Sequence, residues 1–307
     1  MHTDLDHLPI AKQRELARVV EILFEEFDEA RACATSKRKK SARILKIILF
    51  GSYARGEWVE EPHTAKGYRS DYDLLIIVNH PDLKDVATYW YAAEDRFLRD
   101  PRIKTPVNFI VHTLTEVNDA LAKGQYFFTD IKREGIALYE LKGSKPLAEP
   151  KELTPEEAYR TAKEHYERWM PSAGEFFDDF RRNLELGKLN KAAFELHQAA
   201  ERYYHCLLLT LTNYAPATHN IKFLRSLAER HEPRLIDVWP RETKHDRRCF
   251  ELLKRAYVEA RYSERYRITA EELEWLGKHV EVLQSLVGQI CRERLFSLNA
   301  PTSRGRS

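Results

Sequence analysis

The sequence predicts an α/β domain, a small mixed sheet with flanking helices, followed by an all-α antiparallel helical bundle. Three observations carry that prediction. Apolar runs of strand length, Ile44 to Phe50 and Leu74 to Val78, are separated by helical patterns in the first half. The segment Leu141 to Pro155 holds Gly143, Pro146, Pro150 and Pro155 with few large apolar residues, which is linker composition. Beyond it β-branched alternation disappears and apolar residues recur at three- and four-residue spacing. The domains are therefore drawn at residues 1–145 and 146–307.

The 307 residues suffice for two domains that each bury a core. With 50 Lys and Arg against 48 Asp and Glu, the net charge is +2, so nothing in the charge balance demands nucleic acid or a membrane. Cys33, Cys206, Cys249 and Cys291 are far apart and lack metal-ligand spacing, which predicts free thiols in a reducing cytosol. The amino terminus has no basic region leading into an apolar stretch, and no run approaches the roughly 20 apolar residues a membrane span needs. A cytoplasmic protein without a membrane partner is expected.

From Ala11 to about Ala32, Leu16, Val19, Val20, Leu23, Phe24 and Phe27 form one helical stripe. Lys37 to Lys40 follow as a solvated connector or a minor phosphate contact. Ile44 to Phe50 is a buried strand ended by Gly51-Ser52, and after a charged stretch from Glu57 to Ser70 a second strand spans Asp71 to Val78. A helix over Lys84 to Leu98, a strand over Val107 to Val111, helices near 116–121 and 126–133, and a short strand from Ile136 to Tyr139 complete the first half. Thr154-Pro155-Glu156-Glu157 starts a helix, with threonine as cap, proline in the first turn and acids beside it. Trp169-Met170-Pro171 kinks or divides that helix. Further helices are expected at 188–212, 220–230, 246–262 and 270–295, which close most economically as a bundle.

Chemistry concentrates in two places. In GSYARGE, Gly51 allows backbone to approach a phosphate, Ser52 offers a hydroxyl, and the following turn offers amides. A Gly-Ser pair also serves as an ordinary strand-ending turn. In SDYDLLIIV, Asp71 and Asp73 point to one face of a strand while Tyr72 points to the other. Converging carboxylates repel and resist desolvation, so they call for either a cation or water, and magnesium shared with substrate phosphates is a natural occupant.

A strand, Gly-Ser, a short helix and then Ser-Asp-x-Asp-Leu at the start of the next strand resembles the minimal nucleotidyltransferase (MNT) branch of the polymerase-beta-like superfamily. The matching residues are Gly51 to Glu57, then Ser70, Asp71, Asp73 and Leu74. The resemblance implies magnesium-dependent transfer of a nucleoside monophosphate from ATP or another nucleoside triphosphate, with pyrophosphate leaving. Gly51 and Ser52 would hold the triphosphate, Asp71 and Asp73 would hold the metal and do the catalysis, and Arg55 or Arg69 would assist if turned to the phosphates. The family normally carries a third carboxylate on the next core strand. Here the corresponding residue in TPVNFIVH is Asn108, a weaker metal ligand, with His112 farther along the same face as an alternative base or ligand. This departure weakens transfer more than nucleotide binding. The acceptor, whether small molecule, protein or RNA, is left open.

The second half resembles the helical part of fused MNT-HEPN proteins through FELHQAAERYYHCLLL, PATHNIKFLRSLA and LLKRAYVEARYSERYRIT. Some HEPN domains look like metal-independent ribonucleases using an arginine and a nearby histidine, here Arg225 and His231, although Leu227-Ala228 simply continues a helix. His197, Glu201, Tyr204 and His205 line either a pocket or a structural network. Tyr257, Arg261 and Tyr262 are either a nucleotide contact or packing, and Thr218-His219-Asn220 is a helix entry. Besides transfer, the chain thus admits a non-catalytic nucleotide-binding regulatory or toxin-antitoxin-like role, or HEPN-type RNA cleavage. Exposed bundle faces often pair, so a homodimer is expected.

Overall fold

In the computed structural model the described residues are 2–32, 41–60 and 70–300. They form two compact units, the first reaching Lys151 and the second beginning at Glu152. Cys33, Lys37 to Lys40, Arg69 and most of the stretch between Glu57 and Ser70 lie outside the described residues.

The first unit is a four-stranded mixed sheet with helices on both faces. Its strands are β1 (Ile44–Phe50), β2 (Tyr72–Val78), β3 (Val107–Thr113) and β4 (Ile136–Glu140), in the order β3-β2-β1-β4. β1 runs antiparallel to β2 and β4, while β2 and β3 are parallel. Every residue of β2 is buried, which explains why its apolar residues run on without alternation. Helix α1 (Ile10–Ala32) buries Leu16, Val19, Ile22, Leu23 and Phe27 on one sheet face, together with Ile47, Leu49, Leu74 and Ile76. A single helical turn, α2 (Ser52–Arg55), follows β1.

The expected helix over 84–98 is broken into three pieces. A 3-10 turn over Pro81–Lys84 leads into α3 (Val86–Tyr89) and then α4 (Tyr91–Arg99). Asp85 starts α3 by accepting from the Ala87 N–H at 3.2 Å, and the buried Trp90 indole donates to the Leu83 carbonyl at 2.7 Å. The indole bond holds the chain where one continuous helix would have carried it past. β3 continues two residues beyond expectation because Thr113 ends the strand and caps α5 (Leu114–Ala122) in a reciprocal bond with Glu116. α6 (Tyr126–Glu134) then covers the second sheet face through Phe127, Phe128 and Ile131.

Gly135 joins α6 to β4 where no side chain fits. A Cβ there would lie 2.4 Å from the Ile131 carbonyl oxygen and 2.7 Å from Ile48 Cγ2. Gly135→Ala is expected to cost about 1–3 kcal/mol through overpacking, read as a lower midpoint in urea unfolding. An unchanged midpoint would show that the α6–β4 corner relaxes freely.

The second unit is all helical, with α7 (Pro155–Glu185), α8 (Leu189–Thr212), α9 (Ile221–His231), α10 (Lys244–Tyr262) and α11 (Ala270–Asn299). Thr154 and Glu157, Thr243 and Asp246, and Thr269 and Glu272 form three capping boxes that fix where α7, α10 and α11 begin. Pro171 does not divide α7, which continues to Glu185. Ala162 before it and Ala173, Phe177 and Phe180 after it are all buried, so packing holds both halves in one helix despite the lost backbone bond. Gly187, at φ 67°, makes the tight turn into α8. α8 is the core, burying Leu196, Ala199, Ala200, Tyr203, Leu207 and most of its remaining length against the four other helices. Among the described residues, no helix is long and apolar enough to cross a membrane.

Candidate active site

The site forms where β1 ends beside the beginnings of β2 and β3. Phe50 pairs with Asp73, so Gly51 leaves the sheet next to that carboxylate. Gly51 has φ 82° and ψ −152°, a conformation essentially confined to glycine, and it turns the chain into α2. Ser52, half-buried, is the first residue of that turn, and the Arg55 N–H closes it on the Gly51 carbonyl at 3.1 Å. With only four residues α2 adds little dipole, so an anion here would be met by individual amides and the Ser52 hydroxyl.

Asp73 is 1% exposed, and Asp71 is half-buried at the strand entrance. β2 and β3 align Asp73 with Asn108, and the Asn108 amide donates to Asp71 Oδ2 at 3.0 Å. Asp71, Asp73 and Asn108 therefore share one face and one end of the sheet. The Asn108 N–H is a donor that tethers Asp71.

Tyr72 points the opposite way. Its ring lies 4.4 Å from that of Tyr53, and its hydroxyl donates to Glu15 Oε2 at 3.2 Å. Glu15, 7% exposed, also accepts the Lys104 and Thr105 backbone N–H groups and pairs with Lys12. One buried acid of α1 thus clamps the entrances of β2 and β3 from beneath the site. Burial and the adjacent Glu15 charge push the Tyr72 phenol far above its ordinary range, so it stays a neutral donor. Ser70 supplies a second tether, accepting the Val59 N–H at 2.9 Å while its own N–H donates to the Val59 carbonyl. Neither role was visible in sequence. The only local hint was an acid, Glu15, beside the apolar stripe of α1.

Arg55 lies next to acids. Its Nε is 2.7 Å from Glu57 Oε2 and its Nη1 is 3.7 Å from Glu134 Oε2. His112 sits two alternations along β3 from Asn108, with Nδ1 3.4 Å from Glu116 Oε2 and its ring edge-on to Phe128. Four residues of strand span about 13 Å, so His112 is too far from Asp71 to replace a third acid. Burial depresses its imidazole pKa, outweighing the opposing pull of Glu116.

The donor set suits a cation shared with a substrate. Two carboxylates and the Asn108 amide stand beside a glycine turn, and among the described residues no three His, Cys, Asp or Glu side chains gather into a metal cage. Magnesium bound mainly through substrate phosphates and one or two carboxylates needs no such cage. Asp71 and Asp73 are the residues that would hold it.

In the second unit, Arg225 is 5% exposed. Its Nε donates to Glu229, its Nη2 reaches the Trp239 carbonyl at 3.4 Å, and its guanidinium lies over Phe250. His231 ends α9 six positions later, a rotation of about 240°, so the two residues do not share a face. Tyr204 accepts from the Trp239 indole at 2.8 Å, and His205 Nε2 bonds the Pro216 carbonyl at 3.3 Å. Both belong to the bundle's interior.

Residues 31–126 match the nucleotidyltransferase domain family, and residues 166–290 match the HEPN domain family. A 41-residue stretch is 54% identical to a putative protein adenylyltransferase of Methanocaldococcus jannaschii. That stretch is 13% of this chain and 33% of the relative, so the chain spans about a third of the relative's length. The crystal structure of a nucleotidyltransferase-like protein from Exiguobacterium sibiricum aligns over 92% of this chain and 80% of its own, with 12% identity and a TM-score of 0.29. The chain joins an N-terminal nucleotidyltransferase-like domain to a C-terminal HEPN domain, the architecture of the fused MNT-HEPN proteins.

Proposed function

We propose that the first unit transfers a nucleoside monophosphate from a nucleoside triphosphate to a hydroxyl acceptor in the cytoplasm, with magnesium. The observation that carries this reading is the meeting of Asp71, Asp73 and the Gly51 turn at one end of the sheet. In this assignment Gly51 and Ser52 receive the triphosphate, Asp71 and Asp73 hold the metal, and Arg55 adds positive charge near the phosphates. Magnesium, when bound, neutralises charge on the transferred and leaving phosphates. The similarity to a putative protein adenylyltransferase supports ATP as donor and a protein hydroxyl as acceptor.

Incubation with labelled ATP, magnesium and a cell extract, followed by separation of protein, RNA and small-molecule products, tests both halves of the proposal. Label on protein is the expected result. Nucleotide binding without any labelled product would instead favour a regulatory module, a reading that Asn108 in place of an acid supports.

Asn108→Asp probes the same point. In the wild type the amide donates to Asp71; in the variant a carboxylate would stand at that 3.0 Å contact. Without divalent cation the variant is expected to lose about 1 kcal/mol through like-charge repulsion. Magnesium should restore that loss, and turnover should exceed that of the wild type by about tenfold. Differential scanning calorimetry with and without magnesium, beside an initial-rate assay, reads both effects. A variant no more responsive to magnesium than the wild type would remove Asn108 from the site.

A further inference from the structure

Glu201, a buried carboxylate in the middle of α8, is shared by two imidazoles. His219 Nδ1 lies 3.0 Å from Glu201 Oε2, and His197 Nε2 lies 3.4 Å from the same oxygen. His197 is fully buried and its Nδ1 donates to the Leu253 carbonyl at 2.9 Å, so its Nε2 is turned toward Glu201 without making a hydrogen bond. Burial raises the Glu201 carboxyl, but the adjacent His197 and His219 imidazoles outweigh it and hold the group below its ordinary value. An ionised carboxylate on Nδ1 fixes the tautomer and orientation of His219.

His219 differs from its neighbours in being half exposed, at 52% of its side chain. With Nδ1 bound to Glu201, Nε2 is the ring nitrogen left for chemistry. The ring is held flat against Tyr257, with centroids 3.8 Å apart and planes 16° apart. The same Tyr257 ring carries the Arg261 guanidinium at 4.5 Å, and Phe194 carries it at 4.7 Å. Arg261 Nε donates to the Tyr257 carbonyl at 2.7 Å, which leaves the forked end of the exposed guanidinium available.

An imidazole oriented by a buried acid and an arginine anchored to the same aromatic ring make more than a packing arrangement. Packing would be served by apolar residues here, without the cost of desolvating Glu201. We propose that this face of the helical unit is an anion site that takes a terminal phosphate group, with His219 Nε2 and the Arg261 guanidinium as its contacts and Glu201 as the positioning residue for His219. A small phosphate monoester and the phosphorylated end of an oligonucleotide present the same chemistry. Arg225 and His231 take no part, and the proposal is independent of the transferase assignment.

Carbethoxylation of His219 at Nε2 by diethylpyrocarbonate, followed in the full-length protein by peptide mass spectrometry, reads this site without interference from phosphate binding elsewhere. Inorganic phosphate is expected to protect His219, while leaving the half-buried His80 unchanged. Arg261→Met should raise the half-protecting phosphate concentration by about fivefold or more, the scale of one lost charge-assisted hydrogen bond. Glu201→Leu should abolish protection, and Glu201→Gln, which retains an acceptor for Nδ1–H, should recover it. A 5′-nucleoside monophosphate and a 5′-phosphorylated oligonucleotide distinguish the two sources, whichever protects at the lower concentration being the ligand class. Absence of protection by phosphate, equal protection in Arg261→Met, or equal protection by the dephosphorylated oligonucleotide would overturn the proposal.

Discussion

Asp73→Asn is expected to lower magnesium-dependent transfer by about a hundredfold or more while leaving the fold intact. Asp73 is almost wholly buried, pairs with Phe50 in the strand register and adjoins the Gly51 turn. Its charge is therefore placed where a polyphosphate and its cation would meet it rather than bulk water. Asparagine keeps the shape and removes the charge, so the loss should show in the rate of pyrophosphate release and not in the unfolding midpoint. Wild-type turnover in this variant would sink the transferase assignment, because Asp73 is the buried carboxylate beside the Gly51 turn, whereas the buried Glu15 lies on the opposite face with Tyr72.

The second large effect is expected in the helical unit. Glu229, 4% exposed, accepts from Arg225 and from Arg241, whose Nη2 lies 3.1 Å away. Glu229→Ala would leave the buried Arg225 guanidinium without its carboxylate, a change that typically costs 3–5 kcal/mol, or roughly 10 °C in melting temperature for a unit of this size. Replacing Arg225 and Glu229 together by methionine should recover most of that loss, since removing both charges also removes the desolvation penalty. If Glu229→Ala melts within a degree or two of the wild type, the pair is solvated and Arg225 returns as a candidate for RNA chemistry. If it melts far lower, any RNA cleavage lost on changing Arg225 would reflect the fold rather than a catalytic arginine.

Strand boundaries could be read from sequence where burial is complete. β1 and β2 are nearly continuous apolar runs, interrupted by Lys46 and by Asp73 at the strand entrance, and they end at Gly51 and Asn79. That Asp71 and Asp73 share a face followed from period-two geometry, because a strand leaves side chains little choice of side, whereas bringing Asn108 to them took the pairing of β2 with β3. Elsewhere the deciding contact is distant in sequence. The break at Trp90 depends on an indole bond to Leu83, and the clamp under the site depends on Glu15 meeting Tyr72 and Thr105 across separate elements. His219 is a comparable case. Its local pattern describes a helix entry, and only the packing of α8 beside α9 and α10 brings Glu201 and Tyr257 to it. Arg225 shows the converse: spacing suggested a catalytic pair, whereas burial made the arginine a structural group.

The chain after β4 has a practical consequence for dissecting the protein. Leu147 is buried, the Ala148 N–H donates to Asn118, and the Lys151 N–H donates to the Leu121 carbonyl. These residues serve as a strap over α5, so a truncation ending at 145 would strip it away and uncover apolar surface. An expression boundary after Lys151 retains the strap and is the one from which a well-behaved N-terminal fragment should be obtained.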